Sequence, residues 1–210
     1  MKNKLFVIGL LLISNFAFGQ AYPNLQFVHG FCPDKDNHIY IPGREFVYDY
    51  TITNSEGREF KATKDSIGLK PATAERDVVK TIRLAVVKSK WFQRTNSGQT
   101  EIVYSCEPNP HSFSATGVVE NRKNIWIHPP RSDFFRILET CPFPYVKLPV
   151  ETGKTWSDLI APGEWWGSPV WMEWEGPLLF NLAYTITGNR MVDTEAGSFR
   201  CWVIEGKGTS

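Results

Sequence analysis

The chain has 210 residues, of which 42% are hydrophobic and 21% charged, with 23 basic and 22 acidic residues. This near-neutral balance argues against a nucleic-acid partner, which would require a basic stripe. The length is sufficient for one domain with its own hydrophobic core.

The N-terminus has the pattern of a secretory signal peptide. Two lysines precede an uncharged run over residues 5–18, and small residues occupy the −3 and −1 positions before Gln20. The run is shorter than a bilayer-spanning helix requires. We predict cleavage of residues 1–19, which leaves residues 20–210 as a single β-rich domain in the periplasm, on the cell surface or outside the cell. An uncleaved N-terminal anchor is the alternative.

Cleavage would remove two lysines and no acidic residue, so the mature chain would carry 21 basic and 22 acidic residues. No later stretch of the sequence is apolar enough to span a membrane. We therefore expect no transmembrane segment after signal cleavage.

The cysteines of the chain all follow the predicted cleavage site. An even number of cysteines in an exported protein favours disulfides, although three pairings are possible and the sequence does not choose among them. The candidates are Cys32, Cys106, Cys141 and Cys201. A metal site is the alternative, because His29, Cys32, Asp34, Asp36 and His38 lie within ten residues. The paired C-x2-C spacing of zinc sites is missing, so we expect no metal and no cofactor.

Alternating apolar and polar residues predict antiparallel strands. The predicted strands cover 46–53, 78–87, 101–105, 112–119, 124–128, 178–187 and 199–205. Gly188-Asn189 and the segment 194–197 have the composition of turns, so the last two strands are expected to be neighbours. One short helix is predicted over 132–140. The fold class is all-β, an antiparallel sandwich or an open, barrel-like curved sheet with at most one short helix.

A strand end rich in polar groups follows the middle of the chain. His128 and Arg131 flank a double proline that stops the strand 124–128. These two side chains are candidates for binding an anionic group. Alternatively, they tie the strand end to a neighbouring carboxylate.

The segment from residue 156 to residue 174 contains five of the eight tryptophans of the chain. Flat aromatic faces beside carboxylates are typical of sugar-binding surfaces, since ring faces stack on sugar C–H groups and carboxylates accept hydrogen bonds from hydroxyls. The candidate ligand-binding residues here are Trp165, Trp166, Trp171 and Glu173. Core packing is the competing interpretation, because tryptophans are buried on average.

The carboxylates of this segment do not form a catalytic signature. A glycosidase needs two carboxylates that face each other across a cleft. Asp158, Glu164, Glu173 and Glu175 provide the residue type, but the last two are neighbours on one predicted strand face. The sequence also lacks the G-x-S-x-G, phosphate-loop and dinucleotide motifs.

The sequence ends five residues after the predicted strand 199–205. Two interpretations stay open: the domain ends on an edge strand, or the chain is truncated at its C-terminus and lacks further strands. A site built on such strands would not be visible in this sequence.

Several short motifs together resemble a group of uncharacterised, secreted, β-rich bacterial envelope proteins described as TapB-like. The motifs are Ile125-Trp126-Ile127-His128-Pro129-Pro130-Arg131, Pro142-Phe143-Pro144, Gly153-Lys154-Thr155-Trp156 and the Ala196-Gly197 turn. The resemblance covers roughly residues 100–205. It implies an envelope location and further strands beyond the last hairpin, but it carries over no activity or site residue.

The sequence therefore predicts an exported, non-catalytic envelope domain that works by binding or as a scaffold. A glycan or an envelope protein is the expected partner. The alternative is a carbohydrate-binding or carbohydrate-active protein that uses the Trp-rich segment 156–175.

Overall fold

The computed structural model describes residues 34–65, 68–88, 98–131, 133–162, 173–176 and 178–209. These residues form antiparallel β-structure with a single short 3₁₀ helix, which confirms the all-β prediction. The strands are β1 (Glu45–Asp49), β2 (Ile52–Thr53), β3 (Glu59–Ala62), β4 (Leu69–Pro71), β5 (Thr81–Val86), β6 (Thr100–Glu107), β7 (Asn109–Glu120), β8 (Asn124–Ile127), β9 (Tyr145–Lys147), β10 (Thr155–Ile160), β11 (Phe180–Thr194) and β12 (Gly197–Thr209). The 3₁₀ helix spans Asp133–Thr140.

Three antiparallel sheets contain these strands. A curled six-stranded sheet has the order β1-β5-β6-β7-β8-β9, and two three-stranded sheets have the orders β10-β11-β12 and β2-β3-β4. The edge strand β1 pairs with β5 alone among the described strands. The long edge strand β12 likewise pairs only with β11.

The alternation in β5 is buried as predicted. Ile82, Leu84 and Val86 point into the first core, which the six-stranded sheet and the 3₁₀ helix enclose. In β5 and β6, period-two burial places one face of each strand on this core and leaves the other face partly exposed. The apolar–polar alternation of β5 therefore predicts which face of this strand is buried.

The predicted strand 46–53 is interrupted in the structure. At Tyr50 the backbone N–H binds the Asp49 carboxylate at 2.8 Å, and the Tyr50 carbonyl accepts a hydrogen bond from the Lys61 ammonium. These side-chain contacts replace the ladder of the six-stranded sheet. The chain consequently leaves that sheet after β1 and enters the small sheet at β2.

The predicted turn at Gly188-Asn189 is wrong. Both residues continue β11, and the register between β11 and β12 shifts between Ile186 and Gly188. Gly188 has a φ of 156°, so glycine chemistry produces a bulge here and not a reversal. The reversal occurs at the second predicted turn, where Thr194 lies opposite Gly197.

A second core joins the three-stranded sheet β10-β11-β12 to the β8 and β9 end of the large sheet. Trp126, Phe143 and Tyr145 pack there against Leu182 and Tyr184. Within the described residues, no helix combines the length and apolar character needed to cross a membrane.

Candidate binding surfaces

The predicted pair at the end of β8 forms a closed internal cluster. A nitrogen of the Arg131 guanidinium, Nη2, lies 2.8 Å from His128 Nε2, and its Nε lies 2.8 Å from Glu139 Oε1. The other ring nitrogen, His128 Nδ1, lies 2.8 Å from the Pro129 carbonyl oxygen. His128 and Glu139 are only 3% and 2% exposed, so both are sealed from solvent.

The protonation of this cluster follows from burial. Burial and the neighbouring Arg131 charge lower the pKa of His128 to about 3, so the imidazole is neutral at pH 7. A neutral ring that donates from Nδ1 to a carbonyl accepts the Arg131 hydrogen bond at Nε2. Burial raises the pKa of Glu139, against the opposing effect of nearby arginines. The geometry matches the alternative in which Arg131 ties the strand end to a carboxylate, here on the 3₁₀ helix.

The predicted Trp-rich site lies largely outside the described residues, since Trp165, Trp166 and Trp171 fall there. Glu173 is exposed. At the ends of the segment, Trp156 and Trp174 are partly buried and pack against the second core. The Trp156 ring stacks on Tyr184 with 5.4 Å between centroids and 6° between planes. These two tryptophans therefore contribute to the packing of the second core.

Asp158 is a buried carboxylate. From the sequence it was only one of four carboxylates considered for catalysis. It is 3% exposed, and burial raises its pKa. Its Oδ1 accepts the Leu159 backbone N–H at 2.9 Å, whereas no hydrogen bond to Oδ2 occurs among the described residues. Burial, and to a lesser degree the Asp158 charge, raises the pKa of Tyr145 and Tyr184. Asp158 is thus a buried carboxylate close to Tyr145 and Tyr184 of the second core.

Two of the three described cysteines are partly exposed, and no bridge joins any two of Cys106, Cys141 and Cys201. Cys32 lies outside the described residues. Two disulfides from four cysteines would need at least one bridge among these three. The described part of the chain contains no disulfide, and a bridge through Cys32 stays a prediction.

Two candidate ligands of the alternative metal site, His29 and Cys32, lie outside the described residues. Among its other members, Asp34 accepts a hydrogen bond from the Thr100 hydroxyl at 2.7 Å. The His38 backbone N–H binds Glu120 at 2.9 Å. Within the described residues, no cluster of metal-ligating side chains is found.

A buried carboxylate fixes the approach of the chain to β1. Glu120, 4% exposed at the end of β7, accepts backbone hydrogen bonds from His38, Ile39 and Tyr40 at 2.8–3.1 Å. Three consecutive N–H groups that converge on one carboxylate form an anion-binding arrangement filled by the protein itself. This contact holds the segment that leads into β1 against the large sheet.

An open cleft of about 1930 Å³ borders β1. All of β1, Glu45–Asp49, lines it, together with the loop 72–76 and the tip of the β11–β12 hairpin. Since successive side chains of a strand point to opposite faces, five consecutive lining residues mean that β1 turns its edge toward the cleft. The predictions made from the sequence did not include this cleft.

Apolar side chains are exposed on both walls. Val47 is 63% exposed and Tyr48 42% exposed on β1, and Phe199 of the hairpin is 49% exposed. A weak signal for this surface exists in the sequence. Val47 lies on the strand face opposite Phe46 and Tyr48, so β1 is apolar on both faces although it is not buried on both.

The charged groups of the cleft are unevenly distributed. Two carboxylates on β1 already have partners: Glu45 pairs with Arg83, which lowers the pKa of Glu45, and Asp49 pairs with Lys61. The hairpin wall carries Asp193 and Glu195, and its segment 193–199 contains no lysine or arginine. That wall is therefore acidic, whereas Lys61, Arg76 and Lys80 line the cleft elsewhere.

Comparisons with known proteins give no match: no family model, no curated protein and no solved structure is similar to this chain. The TapB-like resemblance therefore stays a prediction. What the chain does must be argued from its own surfaces.

Proposed function

We propose that this chain is an exported bacterial envelope domain that binds a partner at the cleft between β1 and the β11–β12 hairpin. The main support for this proposal is that Val47, Tyr48 and Phe199 are exposed around one cleft. Clustered apolar side chains at the surface mark interaction sites more often than isolated ones do. The polar cluster of His128 and Arg131, by contrast, already has internal partners in Glu139 and the Pro129 carbonyl.

The export part of the proposal rests on the signal-peptide pattern of residues 1–19 and on the TapB-like motifs. One disulfide, through Cys32, belongs to the same proposal. Counting thiols in the unreduced, denatured mature protein tests it. Two free thiols per chain are expected, and four would reject the disulfide.

Co-sedimentation with a bacterial envelope fraction tests the binding function. The mature chain should pellet with the fraction, and the double variant Val47→Ser/Phe199→Ser should lose most of this binding. Trp202→Ser is the matched control, because Trp202 is 42% exposed on the same hairpin but does not line the cleft. Equal pelleting of all three proteins, or none for the wild type, would contradict the proposal.

A second candidate function is carbohydrate binding by the Trp-rich segment 156–175. Glu173 and Glu175 are exposed on either side of the partly buried Trp174, so their carboxylates can reach a ligand in solvent. A glycan array followed by hydrolysis assays on the hits tests this candidate. Turnover that Glu173→Gln abolishes would overturn a binding-only role, and absence of any glycan binding would remove the candidate.

A further inference from the structure

We infer that the cleft takes an extended peptide segment of another protein, in which lysine or arginine alternates with apolar side chains, and that this segment adds a strand to the free edge of β1. The inference rests on the proposed binding function and names the class of partner.

The backbone of β1 selects an extended chain. Among the described strands, β1 has a neighbour on one side only, and its other edge borders the cleft. The N–H and C=O groups of an edge recur at a spacing that another strand matches and that a glycan or a helix does not. Five residues at about 3.3 Å each give an edge of roughly 16 Å, which suits a short peptide.

The sequence of β1 lacks the protection common on exposed edges. Edge strands are often shielded by lysine, proline or a bulge. Glu45–Asp49 contains no lysine and no proline and pairs with β5 in continuous register. The other long edge, β12, carries Arg200 and Lys207. The edge of β1 is therefore the more open to strand addition.

Charge complementarity specifies the peptide. The acidic hairpin wall presents Asp193 and Glu195, and no ion pair to a lysine or arginine is found for either within the described part of the chain. Asp193 accepts a hydrogen bond from the Ser198 hydroxyl, which leaves its negative charge in place. Lysine or arginine on the peptide face toward this wall would be attracted, and the aromatic rings of Tyr48 and Phe199 add favourable contacts for cations and apolar groups.

Panning a display library of random nine-residue peptides against the mature chain tests the inference. Enriched peptides should alternate basic and apolar residues. Glu195→Lys should weaken their binding about fivefold, more at low salt. Glu205→Lys is the control, because it makes the same charge reversal at an exposed site on β12 outside the cleft. No enrichment, or enrichment of acidic peptides, would overturn the inference.

N-methylation of the best peptide tests the strand geometry. In an added strand, only alternate amides donate to the edge, so methyl groups on alternate positions should abolish binding and those between should be tolerated. Tolerance at all positions would overturn strand addition. Envelope binding that persists without peptide enrichment rejects this inference alone, whereas loss of both rejects the proposed function as well.

Discussion

The two halves of the β11–β12 hairpin share one ladder but differ in surroundings. In the inner half, Leu182, Tyr184 and Ile186 are no more than 3% exposed, and Leu182 and Tyr184 lie in the second core. In the outer half, beyond the bulge at Gly188, the apolar side chain of Met191 is 60% exposed. The inner half of β11 alternates apolar and polar residues, whereas in residues 189–194 only the adjacent Met191 and Val192 are apolar. Apolar residues of the hairpin therefore form core before the bulge and surface beyond it.

The largest expected contrast between the halves is in stability. Leu182→Ala should lower the free energy of unfolding by about 3 kcal/mol, because it removes buried apolar contacts and leaves a cavity. Met191→Ala in the outer half should change it by less than about 0.5 kcal/mol. Urea unfolding followed by tryptophan fluorescence measures both. Similar losses for the two variants would show that the outer half is also packed.

A smaller effect is expected at the close approach of Pro142 to β12. A Cβ built at Gly206 would lie 2.8 Å from Pro142 Cβ, closer than real Cβ contacts. Gly206→Val should therefore cost about 2 kcal/mol through overpacking. The neighbouring exposed position provides the control Glu205→Val, and the same urea experiment compares them. If both variants kept wild-type stability, the loop around Pro142 would not be seated on the inner half.

The smallest effect is expected in the pH dependence of stability, at Asp158 of β10, which lies opposite Leu182 of the inner half. Burial raises the pKa of Asp158, so the folded state holds this proton more tightly than the unfolded chain. The contribution of Asp158 to stability is greatest below the unfolded pKa and is lost as the pH rises through the folded pKa. Asp158→Asn removes this loss, so its stability relative to the wild type should be higher at pH 7 than at pH 4.

Urea unfolding between pH 3.5 and pH 8 measures that difference. Glu205→Gln is the control, since Glu205 is an exposed carboxylate on β12. It should follow the wild-type pH profile. An unchanged profile for Asp158→Asn would mean that its carboxyl is not held in the second core.

Much of the β-structure could be predicted because apolar and polar residues alternate along its strands. The buried faces of β5 and β11 follow directly from apolar residues two apart, such as Leu84 and Leu182. The strands β3, β4, β9 and β10 were missed. The first three have only three or four residues, which carry too little pattern, whereas β10 has six residues and overlaps the segment interpreted as Trp-rich. The break at Tyr50 depends on Lys61, eleven residues away, which local pattern does not reveal.

The candidate sites were harder to predict. The sequence places His128 and Arg131 together at a strand end, and their role in ligand binding stays a prediction. Their partner Glu139 comes from the 3₁₀ helix and is known only from the packing. The cleft combines β1 with a hairpin tip almost 150 residues later in the chain. The spacing of residues in a single sequence does not show that β1 and the hairpin tip lie close together. The roles of Trp165, Trp166 and Trp171 in ligand binding stay a prediction.

Hydrogen exchange of the mature chain, with and without a bound envelope fraction, tests the central claim that this cleft is the binding surface. Binding is predicted to slow exchange at residues 45–49 and at the hairpin tip 193–199, while the inner half of the hairpin, already protected, stays unchanged. Slowed exchange confined to residues 156–175, with none at β1, would contradict the account and favour the Trp-rich segment.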